Sequence, residues 1–341
     1  MPLIPLSFLL SLLCVVLLIR LGRPQPRRWL LQLLLLICGW QSLLVGIRFG
    51  YQQPWVVLWQ PLGAALIPPL CYLVLMLYAR GPVGWRDIGH LLLPLLTLLA
   101  QWKALFALDG LIVVGYLGYG VAILGYLRRG ENSLQQVALA DSWLSYRLWC
   151  GLGGLLIISG FAELAIALDY ALLAGHHAGA LAAIGNVLVV VGVALVLGRG
   201  REQPEPIEPP VQTASVSVAL DAEEGELWFQ QINQRLLQDD LYLEPNLNLA
   251  RLARKTGLPA RKVSQAINQQ AGMNVSQYVN QLRIQQAAEW LLGSERPITE
   301  VMRQAGFSTK SNFNREFLRV YGVNPSEWRK RNHQLVNASR L

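Results

Sequence analysis

From Pro2 to Leu197 the apolar positions come in long unbroken runs separated by short polar loops, and most runs approach the ~20 residues that a hydrocarbon core demands of a helix. Seven spans are expected: Leu3–Ile19, Trp29–Ile47, Trp55–Tyr78, Ile88–Leu108, Gly110–Leu127, Leu148–Leu173 and Ala178–Leu197. Pro94, Gln101 and Lys103 interrupt the fourth. The first has neither a basic amino-terminal region nor a small-residue cleavage site, so it reads as a retained helix rather than a secretory signal.

After Leu197 the pattern changes to the period of amphipathic helices. Glu226–Gln238 carries Leu227, Ile232, Leu236 and Leu237 on one side. Asn248 can cap a helix with Leu249, Leu252 and Ala253 inward, ended by Gly257, and after Leu258-Pro259 a second helix, Ala260–Gln270, buries Val263 and Ile267. A longer helix runs from about Val275 to Leu292, opened by Asn274 with Gln277 in the capping-box position. The arrangement then repeats: Thr299–Ala305, a turn at Gly306, and a helix capped by Ser308 or Thr309 with Phe313, Phe317 and Val320 on its apolar face. Asn324-Pro325-Ser326 opens a final helix through Trp328. The fold class is therefore all-α: a seven-helix transmembrane bundle, then an all-helical domain with two helix-turn-helix units.

Composition agrees, since 53% hydrophobic and 15% charged residues suit a chain partly in lipid. Charge is segregated. Residues 201–248 hold two basic against ten acidic residues, whereas 249–341 hold 15 Lys or Arg against 5 Asp or Glu, the balance of a polyanion binder. Arg20, Arg23, Arg27, Arg28, Arg80, Arg86, Arg128, Arg129, Arg147 and Arg199 fall on one side of the seven-span arrangement, with Arg48 and Lys103 on the other. The positive-inside rule then places the amino terminus outside and everything after Leu197 in the cytoplasm, with an inner-membrane, multi-pass location. The inner loop Gly130–Arg147, with Leu134, Val137 and Leu144, is expected as an amphipathic helix on the membrane surface. Pro204, Pro206, Pro209 and Pro210 among acidic residues mark a linker, so the expected domains are 1–198, a linker at 199–226, and 227–341 with its core at 249–331.

In the basic segment, the surface of the second helix of each unit carries the chemistry that reads base edges, where Arg and Lys reach guanine and Asn reaches adenine. These candidates are Arg261, Lys262, Ser264 and Gln265 in the first unit, and Lys310, Ser311, Asn312, Asn314, Arg315 and Arg319 in the second. The bland alternative for each helix is a solvated amphipathic face on an ordinary bundle.

The run from Leu249 to Arg331 resembles the AraC/XylS transcription-factor domain. It carries in order Leu252-Ala253, Gly257-Leu258, Gly272, Val275, Tyr278, Leu282-Arg283-Ile284, Ala288, Leu291-Leu292, Ile298, Val301, Gly306-Phe307, Ser311, Phe313, Phe317, Gly322, Pro325 and Arg329. It departs from the family pattern at Pro259, where a Ser cap is usual, at Ile267, where an aromatic is common, and at Met302, where a small alanine is usual. The resemblance implies two recognition helices joined by a rigid helix and entering successive major grooves. With the multispan half it looks like the membrane-embedded branch of that family.

Ionisable groups inside a span cost about 2.5–3.5 kcal/mol on insertion scales and face a partner or a cavity. Glu163 and Asp169 are thus candidate sensing residues, weighed against an internal ion pair or interfacial exposure, the more common cases. Cys14, Cys38, Cys71 and Cys150 show no metal spacing, and the adjacent His176 and His177 read as solvated loop residues, so no cofactor, metal or catalytic group is expected. The expected function is a membrane-bound, sequence-specific transcription regulator that is not an enzyme, with a promoter duplex, the lipid bilayer, a second copy of the chain, and a small ligand or membrane signal as its partners. The alternative is a transporter or membrane enzyme with a fused autoregulatory tail.

Overall fold

The computed structural model describes residues 5–22, 29–103, 105–198 and 222–338, and among these every regular element is helical, apart from one isolated bridge. Most of the expected linker, 199–221, lies outside the described residues, as do Arg23, Arg27, Arg28 and Arg199. The chain divides into two compact units: residues 1–128 with 147–199, and residues 129–146 with 200–341.

The first unit holds α1 (Ser7–Leu21), α2 (Trp29–Tyr51), α3 (Gln60–Ala79), α4 (Leu92–Lys103), α5 (Leu105–Leu127), α6 (Ser142–Leu173) from residue 147 onward, and α7 (Ala178–Gly198). Small residues set its helix contacts. A side chain on Gly46 would meet the Phe8 ring at 2.3 Å, and Ser42 Oγ donates to the Ser7 carbonyl at 2.7 Å, which fastens α1 to α2. Gly153 and Gly160 of α6 lie against Leu124 and Leu117 of α5 closely enough to leave no room for a Cβ. Among the described residues, four helices are long and apolar enough to cross a membrane, at Trp29–Tyr51, Gln60–Ala79, Leu108–Leu127 and Leu139–Leu173, while Ser7–Leu21 and Ala178–Val189 are shorter apolar helices.

The expected fourth span differs most. Residues 85–91 form a 3-10 turn held by the Asp87 carboxylate, which accepts from Gly84 N at 2.8 Å and pairs with Arg80. The helix that follows has 12 residues, about 18 Å long, well short of a hydrocarbon core. Pro94 does not interrupt it, because it stands in the first turn, where no intrahelical N–H is needed.

The second unit contains α8 (Ala222–Gln238), α9 (Leu249–Thr256), α10 (Ala260–Ala271), α11 (Val275–Gly293), α12 (Ile298–Gln304), α13 (Lys310–Tyr321) and α14 (Pro325–Ala338). The starts of α9, α11 and α13 follow from side-chain caps. Asn248 accepts from Arg251 N at 2.8 Å, Asn274 and Gln277 close a capping box, and Thr309 accepts from Asn312 N at 3.4 Å. Pro259 starts α10 with no side-chain cap; its fixed φ suffices. The apolar faces form two cores. One joins Ile232 and Leu236 of α8 to Leu252, Val263, Ile267, Val275 and Val279; the other joins Ile284, Ala288 and Leu291 to Val301, Phe307, Phe313 and Phe317. Ile267 and Met302 are both buried, so the two departures from the family pattern are absorbed within packed cores.

The inner loop corrects the expected surface helix. Residues 130–141 are not one helix: Glu131–Ser133 and Leu139–Asp141 are single 3-10 turns, and α6 starts at Ser142. Leu134, Val137, Leu139 and Ala140 are all buried. Leu139 belongs to the first core of the second unit and its neighbour Ala140 to the second. Ala138 bridges antiparallel to Asn248, Leu139 N donates to the Leu247 carbonyl at 2.8 Å, and Ala250 N donates to the Gln135 carbonyl at 3.1 Å. Leu139 and Ala140 are therefore satisfied by the cores of this unit, while Leu144 is exposed.

Candidate nucleic-acid interface

Helices α9–α10 and α12–α13 each make a helix, a turn through a positive-φ glycine (Gly257, Gly306), and a second helix. Between the two helix-turn-helix pairs runs α11, and Arg283 locks it in place. Its guanidinium is fully buried, donates to the carbonyls of Tyr242 (2.5 Å) and Glu244 (2.7 Å), and lies 5.7 Å from the centre of the Phe307 ring. Burial lowers its pKa to about 10, with Asp141 acting in the opposite sense, so it stays charged at neutral pH. This excludes Arg283 as a phosphate contact and makes it the strut that holds the segment before α9 against α11, beside Phe307 in the turn before α13.

The sequence-predicted reading residues divide by environment. Arg261 on α10 and Lys310 and Ser311 on α13 are exposed; Ser264, Gln265 and Asn314 are half-buried. Lys262 is turned onto α8, with its Nζ 3.9 Å from the Trp228 ring centre and 3.8 Å from Glu224. Asn312 is buried and donates to the Ala140 carbonyl. Arg315 pairs with Glu316 at 2.9 Å, bonds Asn312, and stands 4.3 Å over the Trp143 ring. Arg319 is held by Glu316 at 2.8 Å and by the Gln277 carbonyl at 3.1 Å. Glu316, which its sequence position left as one acid on a basic face, is the buried anchor of both arginines. The other residues missed, Asn132, Asp141 and Trp143, come from the inner loop: Asn132 Nδ2 donates to Ser264 Oγ at 2.5 Å, and Ser308 Oγ donates to the Asp141 carboxylate at 3.0 Å.

Residues 252–331 match the family model described as a helix-turn-helix domain. The carboxy-terminal end of this chain is a helix-turn-helix domain. That domain is similar to the transcriptional activator RhaR of Klebsiella pneumoniae, 36% identical over 83 residues, which are 24% of this chain and 30% of that protein. RhaR of Yersinia pseudotuberculosis is 33% identical over 84 residues, 25% of this chain and 29% of its own. The chain thus spans about 30% of the length of the curated relatives it matches, which are transcriptional activators of helix-turn-helix type. A solved C-terminal domain of AraT, a response regulator from Geobacillus stearothermophilus, aligns at 24% identity over 34% of this chain and 88% of its own, with a TM-score of 0.27.

In the first unit, Asp169 is buried and accepts from His177 N at 2.9 Å, with His177 Nδ1 at 3.2 Å. It ties the loop between α6 and α7, which is a structural duty. Glu163 is half-buried in α6. Among the described residues, no group of three His, Cys, Asp or Glu side chains converges as metal ligands would.

Proposed function

We propose that this chain is a membrane-held, sequence-specific transcription regulator of the AraC type, whose helix-turn-helix domain reads promoter DNA from the cytoplasmic face. The observation that carries this reading is the pairing of two helix-turn-helix units, braced by α11 and Arg283, inside a segment that matches the helix-turn-helix model. Arg261, Ser264 and Gln265 of α10, and Lys310, Ser311, Asn312, Asn314 and Arg315 of α13, are the residues assigned to base edges, with Lys262 and Arg319 as backbone contacts or braces. The four long apolar helices and their exposed side chains, Leu36, Val114, Val121 and Leu164 among them, support a multi-span membrane bundle that is anchor or sensor, with Glu163 the better sensing candidate. A homodimer on a two-part site and an unidentified membrane signal belong to the same reading.

The test is a mobility shift with the full chain in nanodiscs, comparing a duplex enriched from a randomised pool with the unselected pool at physiological salt. Preference for the enriched duplex is expected, with affinity falling steeply as salt rises. Equal affinity for both duplexes overturns the reading. Arg315→Ala should flatten discrimination at one or two base pairs, about 1–3 kcal/mol each; an equal loss on all sequences assigns Arg315 to a phosphate.

A further inference from the structure

The inner loop, residues 130–146, does more than fill a seam between two cores. It reaches both helices assigned to DNA: α10 through Asn132 to Ser264, and α13 through the Ala140 carbonyl to Asn312 and the Trp143 ring to Arg315. The Asp141 carboxylate receives Ser308 at the start of α13, where a helix N-terminus favours an anion such as a DNA phosphate. Two of these contacts occupy a donor, Asn312 Nδ2 and Ser308 Oγ, while Asn132 takes up Ser264 Oγ as its acceptor and Trp143 covers a face of the Arg315 guanidinium, so each engages a group that base or phosphate recognition would use. The covering segment is also the part of the second unit that is joined by chain directly to α5 and α6.

We propose that loop 130–146 is an internal competitor of DNA: docked, it engages Ser264, Asn312 and Arg315, and its release through the spans on either side frees them for a duplex. The inference rests on the DNA-reading role proposed above for these residues. Apparent affinity then scales with the fraction of molecules whose loop is released, so a loop docked nine-tenths of the time weakens DNA binding about tenfold. Burial of Leu139 and Ala140 makes the docked state the resting one.

Ser142 Oγ and Ser276 Oγ are 2.6 Å apart, and neither is assigned to DNA. The double variant Ser142→Cys with Ser276→Cys, in the full chain in nanodiscs, can therefore lock the loop by oxidation, with oxidised wild type as the control for the four native cysteines. The probe is the duplex enriched from a randomised pool by a Trp143→Ala chain. Oxidation is expected to lower affinity for it at least tenfold, reduction to restore it, and saturating duplex to slow the crosslink; Trp143→Ala alone should bind about tenfold more tightly than wild type. If the crosslinked chain binds duplex as well as the reduced one, or Trp143→Ala binds more weakly, the loop is no competitor and the inference falls while DNA reading stands. Failure of the crosslink to form overturns the docking itself. If the crosslink forms but no variant prefers any duplex, DNA reading has failed and the competition with it.

Discussion

The Nε of Arg283 donates to the carbonyl of Tyr242 at 2.5 Å, and a second nitrogen of the same guanidinium reaches the carbonyl of Glu244 at 2.7 Å. One planar fork thus satisfies two backbone acceptors in the turn before α9, and the side chain is fully buried while doing so. A lysine has one point charge and cannot span both. Arg283→Ala should lower the stability of the second unit by about 3 kcal/mol or more, since it strands the buried Tyr242 carbonyl, leaves that of Glu244 with Leu247 N alone and opens a cavity, and Arg283→Lys should recover only part. The rate of limited proteolysis between α8 and α11 in the full chain measures both.

Gly306 ends the turn that launches α13, at φ +82°, and a Cβ there would stand 2.7 Å from the Leu243 carbonyl oxygen and 3.1 Å from Arg283 Nε. Two costs coincide, the left-handed backbone and a collision with backbone that cannot swing aside. Gly306→Ala should cost about 2 kcal/mol or more and loosen α13. Gly322 has φ +70° with open space around it, so Gly322→Ala should bear the conformational cost alone, about 1 kcal/mol. Comparing the protease sensitivity of the two variants separates strain from collision; equal sensitivity would show that the collision is relieved by movement of Leu243.

Glu131 in the docked loop has its pKa raised above the ordinary 4.5, first by burial; its Oε2 lies 3.1 Å from Ser142 Oγ, Glu316 raises it further, and Arg315 and Arg319 work against the rise. The folded unit therefore holds the proton more tightly than the unfolded chain. Stability is fully present below about pH 4.5 and falls as pH rises from there through the raised folded value, after which this contribution is level. Glu131→Gln should flatten that pH dependence and protect the loop at neutral pH. Cleavage within the loop as a function of pH reads it, and an unchanged slope in the variant would assign the dependence to another group.

The helix boundaries of the second unit were legible because their causes are local. Asn248, Asn274 and Thr309 cap within three residues, and Gly257 and Gly306 end or turn the chain by their own φ. The apolar inner-loop positions were legible as buried but not as to where, since periodicity reports a need for burial and not the partner that meets it. Leu134 and Val137 read as lipid-facing, yet the pairing that buries their neighbours joins residues 112 positions apart. The same holds at the interface: Arg315 and Arg319 are visible on a basic face, but their capture by Glu316 and Trp143 depends on side-chain direction and a distant loop. The fourth span was misjudged in extent because hydropathy alone does not show that Asp87 and Arg80 tie off its first residues as a turn.

Asn248 serves two structures through two different atoms, which lets them be separated. Its Oδ1 accepts from Arg251 N and caps α9, while its Nδ2 donates to the Gln136 carbonyl of the inner loop at 3.3 Å. Asn248→Ala removes both, about 1 kcal/mol for the cap and up to a similar amount for the loop contact. Asn248→Asp keeps an oxygen for the cap, where a carboxylate also suits the helix N-terminus, but places a second acceptor against the Gln136 carbonyl. The aspartate variant should therefore leave α9 intact by amide exchange and still speed cleavage of the loop by protease. Equal protection of the loop in wild type and Asn248→Asp would mean that the backbone bonds of Leu139 and Ala250 hold it without help from this side chain.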